Sequence, residues 1–393
     1  MHILILEARL TGHHPVYLEK ISSGFIEAGH VVTVGVSTKD TQHPLIANLC
    51  ARHEGQIYVQ PISDAAISSA MAARFGVAGR EFAMRKLFAQ TFSQVTATRP
   101  VDHVLLPYLD YCLYAIALLG APFGKTPWSG ICMRPSFHYV EAGVIAPMPK
   151  FSTAKQHLFF RLLRNRSLKR LFTIDELLHA HAIKHVPAWK SKIQYLPDPA
   201  ELKGSHTRES ARQALGISED QKVILVYGAI DARKGLTDLL NAFRSPKTPS
   251  NTTLIVAGKQ SDWAREILSQ EIAQNLRARK NLIELNNFVS EEQQQMLFFA
   301  TDAVWLGYIN HYSMSGVLIL TALAKAQAIS TREGLIGYYT QKWNAGFVID
   351  TKNAGQIFQF WPNKPSSINH TNFDPQAYSW RMALGKITDS LLL

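Results

Sequence analysis

The sequence predicts an α/β protein made of two doubly wound domains with parallel sheets. Three observations carry this reading. Apolar, β-branched runs alternate with amphipathic stretches at helical spacing. Two such series are separated by a polar stretch containing Pro and Gly. At 393 residues the chain is long enough for two domains, each with its own core.

In chain order, "HILILEA" reads as a first strand. "PVYLEKISSGFIEAG" is an amphipathic helix ending at Gly29, and "HVVTVGV" is the next strand. This βαβ unit implies a parallel sheet covered on both faces. "DHVLLPY" and "WSGICM" read as further buried strands, and "KIQYL" as a short one. "PDPAELKGS" (197–205) is the expected linker.

The second series starts with the strand "KVILVYG" and the helix "GLTDLLNAF". It continues with the strand "TLIVAG", one helix over "DWAREILSQEIAQNLRA" and the strand "LIELNNF". The helix "SEEQQQMLFFA" follows, N-capped by Ser290, and then the strand "AVWLGY" and a helix after "SMSG". The expected domains are 1–197 and 198–374. A C-terminal helix within 375–393 is expected to pack back toward the N-terminal domain. Ligands of such sheets bind beyond the carboxyl ends of the strands, so the expected site is a cleft between two facing domains.

Composition narrows the function classes. Hydrophobic residues make up 47% and charged residues 18%, which is globular rather than disordered. Cys50, Cys112 and Cys132 form no CxxC pair. This argues against a disulfide framework or zinc cysteines and for a reducing compartment. "MHILILEARL" reads as a strand rather than a signal peptide, and no apolar run is long enough to span a membrane. A cytoplasmic protein is expected.

The net charge of +11 calls for an anionic partner. Zinc-finger spacing and aromatic RNA-binding motifs are absent, which excludes nucleic acid. Residues 150–170, "KFSTAKQHLFFRLLRNRSLKR", carry seven Lys/Arg and no acid. They read as a basic amphipathic helix at an anionic membrane surface. The alternative is a helix packed on its own domain.

"YGAIDARKGLTDLLNAF" (227–243) is the most specific signal. A strand ends at Gly228, the loop carries Arg233 and Lys234, and Gly235 opens a helix. Cations at a strand-to-helix turn suit a diphosphate, because they neutralise the charge of a departing nucleotide. In "SMSGVLILTALA" (313–324), Ser313, Ser315 and Gly316 precede an uncharged helix. The free amides of its first turn, through Val317, suit a phosphate. A plain serine cap is the alternative. Gly12 lets backbone approach a ligand at the first strand–helix turn, with His13 and His14 beside it. Tyr17, Asp110, Arg134 and His138 are the acceptor-side candidates. His179, His181 and His185 lack HExxH and a patterned carboxylate partner, and DxD is absent, so no metal site and no cofactor is expected.

The ordered segments "GAIDARKGLTDLLNAF", "LIVAGK" and "ELNNFVSEEQQQMLFFATDAVWLGY", followed by a Gly-containing turn, resemble the nucleotide-binding half of retaining GT-B glycosyltransferases of family four. "LTGHHPVYLEKISSGFIEAGHVVTVGV" resembles their glycine loop, first helix and second strand. The resemblance implies two Rossmann-like domains and transfer of a sugar from a nucleotide-diphosphate sugar to a glycan or lipid-linked acceptor, with retention of configuration. In the family an Arg and a Lys contact the donor pyrophosphate. Lys234 matches the Lys, while Ala229 stands in the Arg position and Arg233 is the expected replacement. Two motif glutamates are replaced by Ser313 and Thr321, and Glu333 is the nearest carboxylate to take over a sugar or ribose contact. The resemblance therefore implies Lys234, Arg233 and His13 as catalytic residues. It implies Gly12, Gly228, Lys234, Ser313, Ser315, Gly316, Val317 and Glu333 on the donor. Retention needs no strong enzymic base, whereas inversion would make His13 or Asp110 the base. A degenerate binding protein and a nucleotide-sugar epimerase are the alternatives on this fold.

Overall fold

The computed structural model describes residues 1–12, 14–74, 76–350, 357–360 and 370–392. The chain divides into two compact units. The first comprises Met1–Ala142, Met148–Asp198 and Trp380–Leu393, and the second Gly143–Pro147 and Pro199–Ser379.

The first unit contains strands β1 (His2–Leu6), β2 (Val31–Ser37), β3 (Ile57–Ile62), β4 (His103–Leu106), β5 (Trp128–Cys132), β6 (Leu168–Thr173) and β7 (Ile193–Tyr195). They form one sheet in the order β3-β2-β1-β4-β5-β6-β7, and every neighbouring pair is parallel. All five residues of β1 are buried. Parallel strands covered on both faces need such continuous apolar runs. The strand β3 was not anticipated. It holds Pro61, which breaks a strand signal but is tolerated at a sheet edge, where β3 lies.

The second unit contains β8 (Lys222–Tyr227), β9 (Thr252–Ala257), β10 (Leu282–Leu285), β11 (Ala303–Leu306), β12 (Gln327–Thr331) and β13 (Gly346–Ile349). Their order is β10-β9-β8-β11-β12-β13, again parallel. Ser290 caps the helix Glu291–Ala300 through a capping box with Gln293. The expected single helix over 262–278 is two helices, Asp262–Leu268 and Glu271–Ala278. Gln270 between them is extended, at φ −68° and ψ 158°.

The basic stretch 150–170 is also divided. Its helix runs only over Ser152–Leu163, and Leu168 begins β6. Asn165 makes the break by accepting from the backbone N–H of Ser167 and of Leu168. This local turn competes with continuing the helix. Phe159, Phe160, Leu162, Leu163 and Leu168 all lie in the core of the first unit. The apolar face expected at a membrane is therefore spent on internal packing. Among the described residues, no helix is long and apolar enough to cross a membrane.

The C-terminal helix Trp380–Asp389 belongs to the first unit and packs on the helix His14–Glu27. Gly24 makes the approach close: a Cβ there would lie 3.0 Å from Leu384. Tyr17, expected on the acceptor side, is only 3% exposed. Its hydroxyl donates to Asp198 at 2.6 Å and its ring meets Trp380 edge-on at 5.1 Å. Tyr17 is thus a buried anchor for the C-terminal helix and the end of the first unit.

Candidate functional site

In a doubly wound sheet the ligand crevice opens where strand order reverses, at the carboxyl ends of the two strands flanking that point. In the second unit those strands are β8 and β11. The residues just beyond them are Gly228 and Tyr308.

Lys234 is brought there by a short 3₁₀ turn, Ala232–Lys234. Asp231 caps the turn, and Gly235 closes it in the left-handed region at φ 65°. A Cβ on Gly235 would strike the Gly307 carbonyl at 2.1 Å, so glycine is required by both conformation and space. Lys234 is 3% exposed. Its ammonium donates to the Tyr308 hydroxyl and lies 4.3 Å from the centre of that ring. A Cβ on Gly228 would be 3.5 Å from the same ammonium. The Lys234 carbonyl accepts from the Trp305 indole at 2.8 Å, which locks the turn onto β11. Among the described residues no carboxylate pairs with Lys234 within salt-bridge distance. A buried cation held by a phenol and a ring face, rather than by an acid, keeps its charge available for an anion. Arg233 is half-exposed, 3.7 Å from Asp231, with its guanidinium 5.6 Å from the Tyr308 ring.

Helix Gly316–Leu323 follows β11. Ser315 stands at its N-cap position but makes no side-chain cap. Its hydroxyl instead approaches the Tyr308 hydroxyl at 3.4 Å. The plain serine-cap alternative is therefore not realised, and the first-turn amides at Gly316 and Val317 are left without a side-chain partner. Ser313 approaches His311 Nε2 at 3.4 Å, and His311 packs on Tyr308 with centroids 5.3 Å apart. Thr321, in the place of the second motif glutamate, is fully buried and donates to the Val317 carbonyl at 2.6 Å. That hydroxyl is committed to the helix.

Glu333 sits on the loop after β12, exposed, directly before the helix Gly334–Lys342. It accepts from the Tyr312 hydroxyl. Burial and this carboxylate raise the Tyr312 pKa. The two loops are bound through backbone as well: Leu335 N–H donates to the Tyr312 carbonyl at 2.9 Å. Gly334, at φ 70°, admits no Cβ, because one would lie 2.5 Å from Tyr312 Cα. Glu333 is thereby joined to the loop carrying Ser313 and Ser315. Lys234, Gly228, Ser313, Ser315 and Glu333 belong to turns and loops at the carboxyl edge of this sheet, and Gly316 and Val317 to the first turn of the helix after β11.

In the first unit, order reverses between β1 and β4. Beyond β1 stands Glu7, which is 1% exposed, with His14 Nδ1 3.0 Å from its carboxylate. The His14 ring packs 4.6 Å from Tyr108 and 6.2 Å from Tyr111, and the Arg134 guanidinium lies 5.2 Å from the Tyr108 ring. Arg134 is exposed. Gly12 is exposed at φ 64° with open space around it. His13 lies outside the described residues.

Asp110 and His138 are placed differently from expectation. Asp110 accepts from the backbone N–H of Met133 and Arg134, at 2.8 and 3.1 Å. Burial pushes its pKa up to about 6 although those amides favour the anion. Asp110 therefore shapes the loop that presents Arg134. His138 is fully buried, 2.8 Å from Asp175, which N-caps the helix Glu176–His185. It is a core histidine, closed to an acceptor. The sequence reading missed Glu7 and Tyr108. Glu7 in "ILILEAR" looks like an ordinary strand end, and only its pairing with His14 marks it.

The first unit also holds a cavity of about 390 Å3, with Arg9, Ser37, Lys39, Asp64, Ile67 and Ser68 among its lining residues.

A buried lysine and the first-turn amides of a helix lie at one switch point. Residues 207–358 match the family described as Glycosyl transferases group 1, a stretch that lies within the second unit. An uncharacterized glycosyltransferase of Methanocaldococcus jannaschii is 25% identical over 179 residues, 43% of this chain and 44% of that relative. The match thus spans less than half of the relative's length. The structure of Anabaena HepE in complex with UDP and glucose shares the fold at 13% identity. Its TM-score is 0.63, over 100% of this chain and 99% of HepE. Sucrose-phosphate synthase from Thermosynechococcus elongatus does so at 13% identity and TM-score 0.66, over 99% and 97% of the two chains. The fold is therefore GT-B, with one doubly wound unit in each half.

Proposed function

We propose that the protein is a glycosyltransferase that takes a sugar from a nucleotide-diphosphate sugar and passes it to a glycan or lipid-linked acceptor. The observation that carries this is Lys234 at the β8/β11 switch point, buried with no salt-bridged acid among the described residues and bonded to Tyr308, which Ser315 also approaches. The Lys234 ammonium and the Gly316 and Val317 amides stabilise the diphosphate as it leaves, and Arg233 adds charge from the rim. Glu333 supplies the sugar or ribose contact that Ser313 and Thr321 do not. The first unit binds the acceptor through His14, Tyr108 and Arg134.

HepE is named in complex with UDP and glucose, so UDP-sugars are the first donors to test. Thermal-shift screening against UDP-, GDP-, ADP- and dTDP-sugars, followed by acceptor-dependent nucleotide release, is the experiment. A shift with one nucleotide and release only with acceptor is expected. Absence of any shift leaves a non-catalytic binding protein, which the buried, self-satisfied Thr321 favours as the second reading. Release without acceptor indicates an epimerase or hydrolase. Retention of configuration is part of the proposal, and the anomer of the product tests it.

Membrane association is proposed on a different basis from the helix at 152–163. Leu118 and Leu119 are 45% and 57% exposed. Arg161 donates to the Leu118 carbonyl and Arg85 to that of Gly120. Two leucines flanked by arginines suit the cytoplasmic surface of an anionic bilayer. Co-sedimentation with anionic but not neutral vesicles is expected, and Leu119→Asp should abolish it. Equal pelleting with both vesicle types would remove the claim.

A further inference from the structure

Along the chain, His179, His181 and His185 have no carboxylate partner in a metal-binding pattern. The fold supplies one. Among the described residues, Glu141, His181 and His185 form a group whose donor atoms all lie within 4.8 Å of one another. Glu141 comes from the loop after β5, and the histidines stand one turn apart on the helix Glu176–His185. We infer that Glu141, His181 and His185 form a binding site for a divalent transition-metal ion of the zinc class.

Glu141 Oε2 lies 3.1 Å from His181 Nδ1 and 3.6 Å from His185 Nε2. A tetrahedral ion with bonds of about 2.0–2.1 Å needs donors roughly 3.3 Å apart, so these two separations are close to those of a loaded site. The His185 ring is held in the required tautomer. Its Nδ1 is 3.0 Å from the His181 carbonyl, so Nδ1 carries the proton and Nε2 presents its lone pair. Ligating histidines characteristically anchor their second nitrogen in this way. His181 is 6% exposed, and its Nε2 is a buried atom without a hydrogen-bond partner. With Nδ1 as ligand, Nε2 carries the proton among the Phe160 and His138 rings, each with its centroid 5.9 Å away. Glu141 and His185 are partly exposed, which gives an ion access from solvent. Three protein donors leave a fourth position for water. Two histidines and one glutamate are a known zinc ligand set.

One contact opposes the ion. Lys184, 68% exposed on its side chain, reaches Glu141 Oε1 at 2.6 Å. It uses the other carboxylate oxygen, so it competes through charge and not by occupying a donor. Removing it should tighten binding.

The test uses the full-length chain without a histidine tag. The protein is stripped with chelator, equilibrated with Zn²⁺, and its metal content read by mass spectrometry. Isothermal titration with Zn²⁺ follows. One tightly held equivalent is expected. Glu141→Gln and His185→Gln, both at partly exposed positions, should each weaken binding by about tenfold or more with unchanged circular dichroism. Lys184→Met should strengthen it a few-fold. Substitution with Co²⁺ should give the visible absorption of a low-symmetry four-coordinate ion, absent in Glu141→Gln. Failure of the wild-type chain to retain a stoichiometric ion overturns the inference, and so does binding that survives both Gln substitutions unchanged.

Discussion

Lys234 and Tyr308, carried by loops from different strands, meet as a hydrogen-bonded pair in which the ammonium also lies 4.3 Å from the ring centre. The phenol positions the cation without neutralising it. Charge stabilisation of a leaving group in a site closed to water is worth far more than at a surface. Lys234→Met, which keeps the buried methylene chain, should therefore lower kcat/KM by roughly 100-fold or more. Tyr308→Phe keeps the ring and should cost about tenfold. Steady-state kinetics with the donor found in the nucleotide screen checks both. An unchanged kcat/KM in Lys234→Met would take the diphosphate away from this turn.

Gly316 offers its backbone where a phosphate is expected, and the Ser315 hydroxyl does not cap the amide behind it. Gly316→Val should abolish nucleotide binding in calorimetry while circular dichroism and the unfolding midpoint stay close to wild type. Nucleotide binding that persists would return this helix to a purely structural role.

Gly334 faces the Tyr312 backbone at a distance that forbids a side chain, and its φ is +70°. Gly334→Ala should cost about 1–3 kcal/mol in denaturant unfolding. By moving Glu333 away from Tyr312 it should also raise KM for the donor. Glu333→Gln separates the two effects, since it should raise KM with little change in stability.

His14 lies 3.0 Å from the buried Glu7, an arrangement in which a carboxylate orients an imidazole. His14→Gln should reduce acceptor-dependent turnover by about tenfold or more without changing nucleotide affinity. Glu7→Gln should do the same. Equal loss of nucleotide affinity would place His14 on the donor instead.

Glu81 is 6% exposed and accepts from the backbone N–H of Tyr114 and Ala115 at 2.7 and 3.0 Å. Burial, opposed by those amides and assisted by the charge of Asp110, pushes its pKa up to about 7. The folded chain then holds a proton that the unfolded chain has released, so this group's contribution to stability falls as pH rises from about 4.5 to about 7. The urea midpoint of the wild type should lose ground from pH 5 to pH 8 relative to that of Glu81→Gln. Parallel pH dependence of the two would contradict it.

The second domain was largely legible because its signals are local. Gly228, Lys234 and Gly316 stand at strand and helix ends whose apolar runs announce them, and the loops between are short. The candidates whose side chains are engaged within the first unit share a cause. Tyr17, Asp110 and His138 are polar residues at element ends, and what distinguishes a ligand contact from a buried brace there is a distant partner. Asp198 is such a partner for Tyr17, the Met133 and Arg134 amides are for Asp110, and Asp175 is for His138. The basic stretch 150–170 departs from its expected single helix for a related reason. Helical periodicity identifies an apolar face but not what covers it, and Asn165 ends the helix earlier than the charge pattern implies.

By itself the sequence determined the two parallel sheets, because buried strands between amphipathic helices can pair in few other ways. It also placed two cations at the strand-to-helix turn of Arg233 and Lys234 and marked the departure at Ser313 and Thr321. Tertiary structure alone decided that Lys234 is buried against Tyr308 without an acid, that Glu333 is tied to Tyr312, and that Glu141 completes a histidine pair. Such relationships join residues far apart in the chain. Periodicity and spacing report only neighbours, so these pairings emerge when the loops of separate strands close on one another.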